Sequence, residues 1–349
     1  MKAHHTPYQL NFITPGGTSR GVLTQKETHF ITLCDGKRTG IGECAVFRGL
    51  SRDDRPDYVQ TLQWACEHID LGLEVLREAL QDWPTLVFGL EQAFLSLQSE
   101  HPMELFPSAF TQGAGIPING LIWMGSISEM ESRIEARLAE GYNCLKLKIG
   151  ALNFDRELHL LKALRDRFPA DSLEVRVDAN GAFAPNQALE RLKQLAPLDL
   201  HSIEQPIAAG NWEAMAGLCR DTPVPIALDE ELIVWPHSER KEELLECIVP
   251  QFIILKPALL GGILACNHWI ELAEARNIGW WVTSALESNI GLNTIAQWTA
   301  TLGVKMPQGL GTGSLFSNNF NSPLQTGLGQ LWYNRNTPWE IQKLLQPCI

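Results

Sequence analysis

Three carboxylates, Asp178, Glu204 and Asp229, each close a short apolar run, and they recur at steps of about 25 residues, roughly the length of one strand, loop and helix. Two lysines keep the same phase, Lys148 before them and Lys256 after. The five residues thus end the runs CLKLK, LEVRVD, HSIE, PIALD and FIILK. If these runs are consecutive parallel strands of one barrel, their ends share a mouth and the five side chains meet there. Three oxygen anions in one place suit a hard divalent cation, Mg²⁺ with Mn²⁺ as a substitute, and amines beside them suit proton transfer. Lys146 stands two residues before Lys148 and so on the same face of its strand. Amines inside a barrel are costly to bury unless they meet anions or lose protons. Nearby cations are expected to lower the pKa of Lys148 towards that of a working base. An acid after a strand is ordinarily a cap or turn former, so it is the repeat, not any one residue, that argues for a site. Glu230 and Glu231 beside Asp229 are expected to start a helix or to sit in solvent.

The elements that must position these residues can be read from the same stretch. From about residue 116 apolar runs alternate with amphipathic ones. SISEMESRIEARLAEG places Met130, Ile134 and Leu138 at helical spacing with Gly141 as the stop, and FDRELHLLKALRDRF does the same with Leu158, Leu161, Leu164 and Phe168. Seven strand-helix pairs follow one another without hairpin signals, and a short eighth strand at Gln308 to Leu310 would close a parallel barrel of the α/β, TIM-like class over residues 116–313. Residues 1–115 read as an α+β capping domain, β-like through FITLCDGKRTGIGECAVF and helical through LQWACEHIDLGLEVLREAL and LVFGLEQAFLSLQSE. The segment 314–349 is expected to pack back on it.

Composition narrows the partners. With 28 Lys and Arg against 40 Asp and Glu, a net charge of −12 and no basic run, the chain is not built to track nucleic acid. The N-terminal MKAHHTPYQLNF has no apolar core of a signal peptide, and the eight scattered cysteines lack any C-x-x-C pair, which together predict a cytoplasmic protein with reduced thiols. CIVPQFIILKPALLGGILAC is long enough to span a bilayer, but Pro250, Lys256-Pro257 and Gly261-Gly262 interrupt it, so it reads as strand, loop and helix start.

The constellation resembles the enolase superfamily and its muconate-lactonizing-type subgroup. The matching residues are Lys146-Leu-Lys148, Asp178 in VDAN, Glu204 in IEQP, Asp229 in ALDE and Lys256 in LKP, with TSRG, GIGECAVFRGLS, SALESNIGL and GLGTGSLF elsewhere. The resemblance implies a (β/α)7β barrel under a cap, with Mg²⁺ held by Asp178, Glu204 and Asp229. The substrate would be a small carboxylate that loses the proton beside its carboxyl group to Lys148, with Lys256 across from it. The implied reaction is dehydration of a succinyl-bearing cyclohexadiene carboxylate. Racemisation of N-acylamino acids or epimerisation of dipeptides is the alternative, muconate cycloisomerisation a weaker one, and a non-catalytic binding barrel the remote one. Substrate contacts are expected from Asn180 and Ser284, from Gly311 and Gly313 in GLGTG, and from Ser19, Arg20 and Phe47 to Leu50 in the cap. GLGTG lacks the following helix that a phosphate loop needs.

Overall fold

The computed structural model describes residues 1–18, 21–233 and 238–345. Ser19 and Arg20 lie outside the described residues. The chain opens with an antiparallel sheet of β1 (Lys2–Thr18), β2 (Gly21–Cys34) and β3 (Thr39–Cys44), covered by α1 (Tyr58–Glu67), α2 (Leu73–Ala79) and α3 (Pro84–Gln98). The helix expected through LQWACEHIDLGLEVLREAL is broken at Gly72, whose φ of 83° lies in the left-handed region that glycine alone enters without strain. Burial of Ile31, Leu33, Leu62, Leu86, Leu90 and neighbours gives this unit a core of its own.

After β4 (Ile116–Pro117) come β5 (Gly120–Ile122), α4 (Ile127–Ala139), β6 (Cys144–Lys148), α5 (Phe154–Arg167), β7 (Glu174–Asp178), α6 (Pro185–Leu195), β8 (Ser202–Glu204) and α7 (Trp212–Asp221). They continue with β9 (Ile226–Leu228), α8 (Glu230–Ile233), α9 (Ser238–Ile248), β10 (Phe252–Leu255), α10 (Pro257–Leu260), α11 (Gly262–Glu274), β11 (Gly279–Val282) and α12 (Asn289–Thr301). Strands β5 to β11 form one parallel sheet in sequence order. Parallel bridges from Gln308 to Ile118 and from Gly309 to Thr283 join its two edges, so the Gln308 to Leu310 segment closes the ring as the sequence predicts. The stretch from Cys247 to Cys266 resolves into β10, α10 and the start of α11, and no described helix is long and apolar enough to cross a membrane. The seven described cysteines are all free thiols.

Local chemistry sets the helix starts. Ser126 and Glu129 form a reciprocal capping box on α4, Asn153 caps α5, Asn211 caps α7, and Pro185 and Pro257 take the first turns of α6 and α10. Leu145, Leu147, Val175, Val177, Ile203, Ile226 and Leu228 face outward into the layer between strands and helices. Inside the ring Ala227, Ile254 and Trp281 fill the barrel, with the Arg176 guanidinium 4.4 Å from the Trp281 ring.

The last segment, β12 (Leu324–Gly327), β13 (Gln330–Tyr333) and α13 (Gln342–Leu345), pairs with β4 and packs Ile341 and Leu344 against Phe30 and Ile41 of the first unit. Two acids of the first unit cross to the barrel and satisfy backbone donors that helix starts leave open. Glu91 on α3 accepts from the Ile263 N–H at 2.5 Å at the head of α11 and pairs with Arg77 at 3.1 Å; Glu43 on β3 does the same at α12. Losing Glu91 strands buried donors, whereas losing the exposed Ser126 lets water replace it. Glu91→Ala is expected to lower unfolding free energy by about 2–3 kcal/mol and Ser126→Ala by about 1 kcal/mol in urea titrations. Equal losses would mean that Glu91 does not hold the two units together.

Candidate active site

Strand register brings the acids and amines together. Lys148 is paired with Asp178 and Asp178 with Glu204, so three strand ends form one row across β6, β7 and β8. Glu204 pairs with Ala227, and because successive residues alternate faces, Asp229 lies on the same inner face one step further up. Phe252 also pairs with Ala227, which carries Lys256 two further steps round the rising spiral. Lys146 lies on the inner face below Lys148. In an eight-membered ring β6 and β10 are four strands apart, so Lys148 and Lys256 face each other across the mouth.

The contacts are dense. Lys148 Nζ donates to Asp178 Oδ2 at 3.0 Å and to Asn180 Oδ1 at 2.7 Å. Lys146 Nζ bridges Asp178, at 3.0 Å, and Glu204, and Lys256 Nζ is bonded to Asp229. Asn180, in the left-handed region with φ of 43°, donates through Nδ2 to Glu230 Oε1 at 3.0 Å. Asn180 thus holds Lys148 and is itself held by Glu230.

Glu230 and Glu231 do start a helix, but neither is solvated: they are 8 % and 0 % exposed. Glu230 lines the cavity, and Glu231 accepts from the Gly210 N–H at 2.8 Å and from Gln205 at 3.2 Å. The helix start is as expected, and only the solvated alternative fails, because a helix of four residues directly after a barrel strand stays inside the mouth. Burial, reinforced by Asp229 and Asp178, raises the Glu230 carboxyl.

Burial and neighbouring charge pull in opposite directions on Asp178, Glu204, Lys146 and Lys256. Burial alone would raise Asp178, but the Lys146 and Lys148 amines outweigh it and hold that carboxyl far below the usual range. Burial and the charge of Asp178 push Glu204 well up, against Lys146. The amines of Lys146 and Lys256 go up: burial opposes their charge, but Asp178 and Glu204 for the first and Asp229 and Glu204 for the second overcome it.

The residues fit a hard cation. The donors are all carboxylate oxygens, and Glu204 Oε1 and Asp229 Oδ1 are buried without any hydrogen-bond partner. Among the described residues no three acids are gathered at coordinating distance, and the Lys146 and Lys256 amines lie on Glu204 and Asp229. Asp178, Glu204 and Asp229 are the residues that would hold such an ion.

The cavity above this cluster measures about 1020 Å³ counted out to solvent. Ser284 lines it, its hydroxyl 2.6 Å from that of Thr312, and Gly309 and Gly311 line it too. Gly313 does not. It begins a 3₁₀ turn, and a Cβ there would stand 2.5 Å from Asn289 Oδ1, so its role is packing on α12. Phe47 and Leu50 reach the cavity from the first unit, while Arg48 is engaged by Glu27 and Asp54. Trp123, Leu121 and Asn119 were missed by sequence reasoning, although their spacing of two along β5 and its flanks marks one face.

The glycines are separable by substitution. A Cβ at Gly309 would lie 1.9 Å from Thr283 Oγ1, whereas at Gly311 the nearest atom is 3.4 Å away. Gly309→Ala is expected to cost roughly 1–3 kcal/mol of stability and Gly311→Ala under about 1 kcal/mol. Comparison of thermal unfolding midpoints checks this; a larger loss at Gly311 would contradict the packing.

Known proteins resemble this chain in sequence and fold. A family profile described as enolase C-terminal domain-like matches residues 129–326. The chain is 46 % identical, over 95 % of its length and 98 % of the relative's, to o-succinylbenzoate synthase of Desulfotalea psychrophila. The crystal structure of MenC from the same organism superposes with a TM-score of 0.85 at 43 % identity, covering 95 % of this chain and 99 % of that one. An N-succinylamino acid racemase of Thermus thermophilus is 33 % identical over 78 % of this chain and 75 % of its own. On the profile match and these near-full-length likenesses, the chain belongs to the enolase superfamily.

Proposed function

We propose that this chain carries out the o-succinylbenzoate synthase reaction of menaquinone biosynthesis, the loss of water from 2-succinyl-6-hydroxy-2,4-cyclohexadiene-1-carboxylate. The observation that carries the reading is the likeness to such a synthase over almost the whole chain, on a cavity where two amines face each other beside buried acids. In this reading residues 1–115 with 314–349 form the cap and 116–313 the barrel.

Lys148 removes the proton beside the substrate carboxylate. The resulting ammonium then delivers a proton to the departing hydroxyl, so one C–H and one C–O bond break, the ring becomes aromatic and one water leaves. Asn180 and Asp178 hold the amine in place for both transfers. Lys256, opposite, presents its cation to the other face of the ring. A second negative charge develops on the carboxylate as the proton departs, and Mg²⁺ held by Asp178, Glu204 and Asp229 supplies the opposing charge when bound. Phe47, Leu50 and Trp123 exclude water and accommodate ring and succinyl arm.

A second reading has a specific observation behind it. Opposed amines suit two-base racemisation, and an N-succinylamino acid racemase is among the relatives. GLGTGSLF carries no Asp-x-Asp pair for an α-ammonium group, which argues against dipeptides.

Purified protein with Mg²⁺ should consume the diene, followed by its ultraviolet absorbance, with kcat/KM of at least about 10⁴ M⁻¹s⁻¹, and EDTA should stop it. No loss above the spontaneous rate, with efficient racemisation of N-succinylamino acids, establishes the second reading instead. Lys148→Ala should reduce turnover by roughly 10⁴-fold and stop exchange of the α-proton with solvent deuterium; Lys256→Ala should leave a residual dehydration rate. Wild-type exchange in Lys148→Ala would remove it as the base. Asp178→Asn, Glu204→Gln and Asp229→Asn should each weaken Mg²⁺ binding in calorimetric titration.

A further inference from the structure

Where the first unit meets the barrel, three ionisable side chains with no part in the reaction above are shut away from water. Lys26 on β2, Glu43 on β3 and Glu287 just ahead of α12 are 6 %, 0 % and 0 % exposed. Glu43 reaches into the barrel. Its Oε1 accepts from the Ser288 N–H at 2.9 Å, and its Oε2 accepts from the Ser288 hydroxyl at 2.6 Å and the Gly291 N–H at 2.9 Å. The Thr28 hydroxyl donates to it from its own side at 2.9 Å. Glu287 Oε2 accepts from the Ala285 N–H at 2.7 Å, while its Oε1 and the Lys26 amine have no hydrogen-bond partner. Ser284, Ala285 and Leu286 are cavity wall, and Leu286 packs on Leu10 of the first unit.

We propose that Glu43 and Glu287 are positioning residues: through Ser288, Gly291 and Ala285 they hold segment 284–287 in the place where it walls the substrate cavity. The seating of the cap and the affinity for substrate are then governed by the same buried acids. The kinetic part of the test rests on the reaction proposed above; the exchange part does not.

Charge balance adds a pH dependence. One ammonium and two carboxylates leave one negative charge in a dry seam. Burial, opposed by Lys26 and reinforced by Glu43, raises the Glu287 carboxyl to about 7. Burial lowers the Lys26 amine against the pull of Glu43, Glu287 and Glu27. The other groups facing the cluster are settled: Glu27 is engaged by Arg48 and His29, and Thr28, Ser288 and Gln92 are neutral. Below about pH 7 Glu287 is a neutral acid and the cluster balances. Above it a second carboxylate charge opposes Glu43, and the wall loosens.

Two measurements on the full chain test this. In steady-state kinetics with Mg²⁺, Glu43→Gln should raise KM roughly tenfold with kcat within about twofold, and Glu43→Asp should recover part of the loss. Wild-type KM should rise above about pH 7, and Glu287→Gln, which imitates the protonated acid, should abolish that rise. Should Glu43→Gln fail to fold, Ser288→Ala removes one donor alone and should raise KM by roughly two- to threefold. Hydrogen exchange of residues 284–291, corrected for intrinsic pH dependence, should show wild-type protection falling above that pH and Glu287→Gln protection holding, with no substrate needed. Unchanged KM or a loss confined to kcat in the folded variants, or identical exchange in wild type and Glu287→Gln, overturns the proposal. An inactive wild type whose exchange behaves as described overturns the reaction reading and not this one.

Discussion

The structure depends on keeping seven ionised or ionisable side chains, Lys146, Lys148, Asp178, Glu204, Asp229, Glu230 and Lys256, inside a barrel mouth that leaves little water to screen them. Each alone would be expelled or neutralised. Together they are tolerable because strand register sets amines against acids: Lys148 beside Asp178, Lys146 across Asp178 and Glu204, Lys256 on Asp229. Four acids against three amines leave the acids in excess, a crowding that the upward push of burial and Asp178 on the Glu204 carboxyl eases. A divalent ion would relieve it equally well and leave the mouth attractive to a carboxylate. Substrate recognition and internal charge balance are in that sense one problem.

A site so charged must be closed by something apolar, and closure must be reproducible. The first unit supplies Phe47 and Leu50 as the apolar part. The reproducible part is the pair of acids, Glu43 and Glu91, that end on the first turns of α12 and α11. Open helix N–H groups are directional donors in a region with partial positive charge, so a carboxylate meets them in one geometry only. Leucine against leucine would slide. Both helices follow strands whose ends line the cavity, and the seam therefore places the walls of the site as well as the cap.

Much of this was legible in the sequence because it obeys a period. The repeat of strand-end acids and lysines located Lys146, Lys148, Asp178, Glu204, Asp229 and Lys256, and the same rhythm found the strands, the helices and the closing segment at Gln308 to Leu310. What escaped lacks a period. Glu230 reads as a helix-start residue like many others, and only the shortness of α8 keeps it in the mouth. Gly313 shares a string with Gly309 and Gly311, yet the turn that follows carries it onto α12. Glu43 and Glu287 stand far apart in the chain, and nothing local marks two isolated glutamates as neighbours across an interface.

The reaction also explains where differences among relatives must lie. In the proposed mechanism the first step is removal of a proton beside a carboxylate, and the row Lys148, Asp178, Glu204 with Lys256 opposite would suit dehydration or racemisation alike. Aromatisation drives the dehydration from within the substrate, so that reaction asks little of the amines beyond placement. Selection between substrates would then fall to groups that touch neither metal nor proton: Leu121 on the first barrel strand and Trp123 just past its end, Leu286 on the wall braced by Glu287, and Phe47 and Leu50 on the cap. Apolar walls discriminate by shape, with only about 1–3 kcal/mol for a methylene, so a wall set by a rigid seam distinguishes a ring from an amino acid better than one left to close as it may.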